Sequence, residues 1–309
     1  MEKNLLLRQT PMYKIIAARI PVNNEECVRL FHGRGKKHPG FEHLSIDLFP
    51  PAVLITTYRE LSEDDKKSLV DNLTVVPGLK FESIILQKRY GKGESVEVLS
   101  GKVVGESIAV ENSGKYLINL SNAKNIGFFL DMAIGRDLVK KISKDKCVLN
   151  LFSYTCSLSV AALKGGASEV VNVDMSKPAM SIGEKNHSLN GIDRRLAKFM
   201  THDVMKSFGA IARKGPYDLI IIDPPTNQGE SFKVDLDYHK IVKRLHTMTA
   251  KDAVIMACLN SPHHDSDYLI NLFKEHADQF DFQEKIYSSF SEMEKDPEEG
   301  LKILLFKKH

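Results

Sequence analysis

The chain has 309 residues, enough for two domains or for one large α/β domain with an extension. Its 42% hydrophobic and 27% charged residues are ordinary for a globular protein, and its net charge is only +3. That balance excludes a polycationic chain and leaves room for a local basic surface.

In chain order, residues 1–115 read as a small α+β domain. Segment 62–72 is helical, and 53–58, 81–88, 96–99, 107–111 and 116–119 read as strands. Asn112-Ser113-Gly114 joins the last two as a hairpin signal. Over residues 116–309 strands and helices alternate. The strands are 147–151, 169–173, 196–200, 218–222 and 254–258; the helices are 158–163, 177–189, 204–212, 238–248 and 268–276. Strands 282–288 and 301–306 close the chain with no helix between them. The alternation predicts a mostly parallel sheet covered on both faces, and the closing pair predicts an antiparallel edge strand. The expected fold class is therefore α/β, Rossmann-like, with a smaller N-terminal α+β domain.

No apolar run reaches the roughly 20 residues that span a bilayer, so no membrane partner is expected. The stretch MEKNLLLRQTPMYK lacks the apolar core of a signal peptide. Cys27, Cys147, Cys156 and Cys258 show no CxxC spacing, which predicts reduced thiols, no zinc site and a cytoplasmic location.

In a doubly wound sheet ligands bind beyond the carboxyl ends of the strands. Those ends carry Phe152-Ser153-Tyr154-Thr155, then Asp174, then Thr201-His202-Asp203, then Asp223-Pro224-Pro225, and finally Cys258. An acid at the second end suits a ribose diol, and one at the third suits an adenine amino group. Both acids have a plainer role as helix N-caps. Asp223 does not, because two prolines make a rigid, carbonyl-rich bend suited to gripping a base. For Cys258 the plain reading is a small core thiol.

NLFSYTCSLSVAALKGGASEVVNVDMSK, with NIGFFLDMAIGR before it and IIDPPT after it, resembles the bacterial class I methyltransferases of 23S ribosomal RNA, of the cytosine-C5 type and their guanine-N7 relatives. LFHGRGKKHPGFEHLSIDLFPP resembles the region preceding their catalytic domain. The resemblance is specific over residues 120–226, and the separate RNA-binding PUA domain of some members is not expected. It implies S-adenosylmethionine as cofactor and 23S ribosomal RNA as partner, and a homodimer is compatible with it. By resemblance Ser153, Tyr154 and Thr155 line the methionine moiety, and Asp174 with Met175 holds ribose and adenine. Asp203 with Val204 meets the adenine edge. Asp131 and Arg136 sit near the cofactor's polar end or the RNA backbone. Asp223, Pro224 and Pro225 form the catalytic edge. Cys258 takes the place of the nucleophile that adds to cytosine carbon 6, so cytosine carbon 5 is the expected acceptor, with guanine N7 or another base nitrogen at the Asp223-Pro224-Pro225 edge as the alternative.

The chain departs from that pattern at several positions. Cys156 replaces a glycine, and would be strained if its φ is positive. Met132-Ala133 replaces Gln-Arg, and Ala257 and Leu259 replace serines around Cys258. Thr226 stands where amino-methyltransferases have a stacking aromatic, which favours a ring nitrogen such as guanine N7 over an exocyclic amine. A nicotinamide dehydrogenase would need G-x-G-x-x-G, absent from SYTCSLS. A non-catalytic RNA-binding or cofactor-binding module remains an alternative. His32-Gly33-Arg34-Gly35-Lys36-Lys37-His38 reads as a phosphate-contacting loop or a solvated basic turn. His263-His264-Asp265 reads as a helix cap rather than a metal site.

Overall fold

The structure is a computed structural model that describes residues 11–22, 24–91 and 95–309. Most of the stretch read against a signal peptide, residues 1–10, lies outside the described residues. The chain divides into two compact units, Met1–Leu130 with Met293–Lys295, and Asp131–Glu292 with Asp296–His309.

In the first unit, strands β1 (Val28–His32), β2 (Leu44–Phe49), β3 (Ala52–Thr57), β4 (Ser83–Lys88) and β5 (Ser95–Ser100) form one sheet in that order. Only β3 and β4 are parallel, and the helix Glu63–Thr74 makes the crossover that a parallel pair requires. A capping box starts that helix: the Ser62 hydroxyl accepts from the Asp65 N–H, and the Asp65 carboxylate accepts from the Ser62 N–H. Leu30, Ile46, Val53, Ile55, Leu73 and Ile84 fill the core. Strands β6 (Glu106–Glu111) and β7 (Gly114–Asn119) form the expected hairpin, with Asn112 and Ser113 at φ 47° and 64° as a primed turn needs. Because β7 stays with β6, the division between units falls after Leu130 rather than near residue 115.

In the second unit, β8 (Cys147–Leu151), β9 (Glu169–Asp174), β10 (Ala197–Thr201), β11 (Tyr217–Ile222), β12 (Thr249–Asn260), β13 (Phe280–Tyr287) and β14 (Leu301–Lys308) form one sheet. Its order is β10-β9-β8-β11-β12-β14-β13. All neighbours are parallel up to β12, and β14 lies antiparallel between β12 and β13. The fold is the expected Rossmann-like one. Strand order reverses between β8 and β11, so the crevice beyond their carboxyl ends is the place for a ligand. Side chains alternate across the sheet: Ile220, Ile222, Ile255 and Ala257 join one core with Tyr238 and Phe273. Leu219, Ile221, Met256 and Cys258 join the other with Met132, Val139 and Ile303.

Two expected helices differ. Segment 204–212 is a 3-10 turn, Val204–Lys206, and a short helix, Phe208–Ala212. The next helix begins earlier, at Val234–Val242, and gives way to the 3-10 turn Leu245–Thr247. Phe128 and Leu130 are buried, whereas Phe129, just before the 3-10 turn Leu130–Met132, is 49% exposed. Among the described residues no helix is long and apolar enough to cross a membrane.

Candidate active site

The loop after β8 owes its form to its backbone. Phe152, Tyr154 and Cys156 have φ of 56°, 47° and 63°, so alternate residues are left-handed. The Ser153 N–H donates to the Val173 carbonyl at 3.1 Å, and the Cys156 N–H to the Ser153 carbonyl at 2.7 Å. Asp174, last residue of β9, grips the loop. Its Oδ2 accepts from the Tyr154 N–H at 2.9 Å, and its Oδ1 accepts from the Ser176 N–H at 2.8 Å. Capping of the helix Lys177–Leu189 falls to Ser176. The buried carboxylate of Asp174 is thus oriented at both oxygens with lone pairs still available, and the adjoining Met175 is 44% exposed. Ser153 and Thr155 are buried; the Ser153 hydroxyl lies 3.4 Å from the Met180 sulfur, and the Thr155 carbonyl accepts from Asn186.

Cys156 occupies the left-handed position where glycine would be unstrained. Its thiol is fully buried and pushed up to about 12, chiefly by that burial. Room for it comes from Gly183 on the helix Lys177–Leu189: a Cβ there would lie 2.5 Å from the Cys156 sulfur.

Beneath the loop runs a buried polar chain. Asn150 donates to Asn172 at 3.0 Å, Asn172 donates to the Ser159 hydroxyl at 3.0 Å, and that hydroxyl meets His187 Nε2 at 2.8 Å. His187 Nδ1 lies 2.7 Å from the Gly183 carbonyl, which can only accept. The ring is therefore the Nδ1–H tautomer, and Nε2 accepts from Ser159. Burial lowers the His187 pKa below 6.5. The unfolded imidazole then takes a proton that the folded one refuses, so stability is retained above pH 6.5 and falls below it. In urea titrations at pH 7.5 and 5.5 the His187→Gln variant is expected to lose less stability on acidification than the parent. An equal loss would remove His187 as the cause. These residues were not among those predicted from sequence. The signal was there: two asparagines at facing positions of apolar strands, Asn150 opposite Asn172.

A second cluster gathers at the ends of β11 and β12. Burial first, and the Asp131 carboxylate second, push Asp223 up to about 7, while Arg136 pulls the other way. Arg136 is buried on the helix Ala133–Ile142, and Pro224 is buried beside an exposed Pro225. The Thr226 hydroxyl donates to the Asn260 carbonyl at 2.5 Å, tying the Asp-Pro-Pro bend to the end of β12. Cys258 is fully buried, and its thiol is raised well above the ordinary range by burial and then by Asp223 and Asp131. The Tyr238 hydroxyl holds the Cys258 carbonyl at 3.1 Å. Asp131, Arg136, Asp223 and Cys258 thus share one electrostatic neighbourhood.

Asp203 caps the turn Val204–Lys206, its Oδ1 accepting from the Met205 N–H at 2.9 Å while its Oδ2 faces Lys206 at 3.4 Å. Asp265 likewise caps the helix Ser266–His276 through the Tyr268 N–H, and no metal-binding cluster of His, Cys, Asp or Glu exists among the described residues.

Among known proteins, "Ribosomal RNA large subunit methyltransferase I" of Aeromonas salmonicida is 40% identical over 144 residues, which are 46% of this chain and 36% of that protein. This chain therefore aligns with little more than a third of the length of that relative. A Streptococcus mutans structure assigned as a SAM-dependent methyltransferase has a TM-score of 0.82 and 23% identity, covering 96% of this chain and 80% of that one. Another, assigned as a methyltransferase and complexed with SAH, has a TM-score of 0.81 and 23% identity, covering 99% and 79%. At those identities the structures establish likeness of fold. Residues 28–307 match the family described as S-adenosylmethionine-dependent methyltransferase. With nine-tenths of its length matched and the Rossmann-like sheet in place, the chain belongs to the S-adenosylmethionine-dependent methyltransferase family.

Proposed function

We propose that this chain is a cytoplasmic enzyme that methylates a base of large-subunit ribosomal RNA at the Asp223-Pro224-Pro225 edge. Ribosomal RNA as substrate is supported by the name of the Aeromonas relative. The site suits the cofactor: a carboxylate fixed at both oxygens stands at the end of β9, followed by an exposed apolar side chain. Asp174 would accept from the ribose hydroxyls, and Met175 would cover the adenine, with Asp203 and Val204 at its edge. Ser153, Tyr154 and Thr155 would bound the methionine moiety, and Asp131 and Arg136 would oppose its ammonium and carboxylate. When bound, the cofactor supplies an electrophilic methyl group on a sulfonium.

The observation that carries the choice of atom is Asp223, a carboxyl at a strand end with its proton affinity raised to near neutrality. Ionised, it accepts a hydrogen bond from the base and offsets the positive charge that a nitrogen gains on methylation. A base nitrogen, such as guanine N7, is therefore the first reading. Methylation of cytosine carbon 5 is the second, favoured by the closeness of Cys258 to Asp223 and Asp131. There the thiol would lose its proton to a carboxylate and add to carbon 6, and carbon 5 would take the methyl group. Loss of the carbon-5 proton would then expel the thiolate. Enclosure of that thiol weighs against it.

Tritiated methyl transfer to ribosomal RNA from cells lacking the protein, followed by nucleoside analysis, separates the two. A methylated purine nitrogen, formed at full rate by Cys258→Ala, is expected. A 5-methylcytidine that vanishes in that variant would replace the first reading with the second. No calorimetric signal with millimolar S-adenosylmethionine would sink both.

A further inference from the structure

The first unit carries an aromatic side chain under a cation that the methyl-transfer chemistry does not use. Tyr58, just past β3, is 38% exposed, and the Arg34 guanidinium carbon lies 3.9 Å above its ring centroid. Arg89 stands 5.9 Å from the same ring. Backbone bonds fix the group: the Tyr58 N–H donates to the His43 carbonyl at 2.9 Å, and the Arg89 N–H to the Thr57 carbonyl at 2.8 Å. Arg89 is further held by the Lys124 carbonyl at 2.6 Å.

Arg34 is placed by the glycines on either side of it. A Cβ on Gly33 would lie 1.8 Å from the Phe41 carbonyl oxygen, and one on Gly35 would lie 2.1 Å from that of Met293. No other residue fits at either position, so the loop lies close against its neighbours and Arg34 projects from it, exposed. Lys36 and Lys37 follow on the same exposed loop. A solvated basic turn has no need of two such glycines or of an aromatic beneath its arginine.

We infer that Tyr58 and Arg34 form a stacking platform for an unpaired RNA base, with Arg89, Lys36 and Lys37 neutralising the phosphates beside it. A guanidinium held over a tyrosine ring still offers the side turned away from it, and RNA bases stack on arginine and aromatic groups where they are splayed out of a helix. In duplex RNA those faces are hidden, so the platform selects single-stranded segments. The inference rests on RNA being the substrate, but it concerns residues of the first unit, none of which the cofactor reading uses.

The chain has no tryptophan, so Tyr58→Trp introduces a single tryptophan, excited selectively at wavelengths beyond tyrosine absorption, at the platform. Single-stranded oligouridylate is expected to quench its emission, and a duplex of oligouridylate with oligoadenylate is not. By fluorescence anisotropy, Tyr58→Ala should bind labelled oligouridylate roughly tenfold more weakly, and Tyr58→Phe should bind it as the parent does. Lys37→Ala should lower the slope of log affinity against log salt by about 0.7, the single-strand value for one phosphate contact, and Arg34→Ala should weaken binding as Tyr58→Ala does. Quenching by the duplex alone, or unchanged affinity in both Tyr58→Ala and Arg34→Ala, would overturn the platform. Calorimetry with S-adenosylmethionine keeps its failure apart from that of the enzyme reading. Tyr58→Ala binds cofactor as the parent does, whereas Asp174→Ala loses cofactor and keeps its affinity for oligouridylate.

Discussion

Replacing Asp223 by asparagine is expected to cut methyl transfer by about a hundredfold or more, while making the folded chain more stable above pH 7. The two effects share one cause. Burial and the neighbouring Asp131 raise the Asp223 pKa from 3.8 to about 7, so the folded chain binds a proton that the unfolded chain has already lost. Between those values stability falls as pH rises, and above pH 7 the fold carries the whole cost of an ionised carboxylate in a poorly solvated place. Asparagine keeps the shape and removes the charge. The parent and Asp223→Asn should therefore be about equally stable near pH 4, and the variant should lead at pH 8, as denaturant midpoints without cofactor would show. Single-turnover methyl transfer by the parent should rise through pH 7 as Asp223 ionises. A flat profile, or a variant with parental turnover, would exclude that carboxylate from the chemistry.

Gly183→Ala is expected to destabilise the second unit by about 1–3 kcal/mol, although alanine is ordinarily the better helix former. The added Cβ would stand 2.5 Å from the Cys156 sulfur and 3.1 Å from its Cβ, with Thr155 backbone at 3.5 Å. The sulfur is fully enclosed, so the strain has to pass into the loop after β8. Cys156→Gly alone should change stability little, since relief of a left-handed cysteine offsets the loss of a buried side chain. Together the two changes move the side chain from loop to helix. The double variant should recover most of the loss, a coupling of about 1 kcal/mol or more in a double-mutant cycle by urea denaturation. Additive effects would mean that the sulfur and the glycine do not compete for the same space. S-adenosylmethionine affinity should follow the same order, weakest in Gly183→Ala.

The alternating half of the chain was legible because burial on both faces of a parallel sheet writes apolar runs such as 218–222 between punctuating helices. Strands β8 to β11 and β14 stand within two residues of expectation, and the condition attached to Cys156 is met, since its φ is 63°. Less could be read where tertiary packing decides. β1 and β2 escaped notice because Arg29 and Asp47, polar residues that break an apolar run, are paired across them by a bidentate ion pair. Acids at strand ends told where ligands gather, but not that Asp203 spends an oxygen on its own turn. Nor could spacing show that Cys258 lies wholly inside the core beside two carboxylates, since residues from three separate segments create that environment.

The return of Met293–Lys295 to the first unit bears on the order in which the protein is made. The Lys295 N–H donates to the Gly35 carbonyl at 2.6 Å, and Glu294 pairs with Lys36 in an antiparallel bridge, so the loop at residues 33–36 is completed by residues translated much later. On the ribosome the N-terminal sheet can collapse early, but the glycine loop that presents Arg34 stays unfinished until residue 295 has emerged. A nascent chain therefore has strands β8 to β12 laid down before its basic loop acquires its final form.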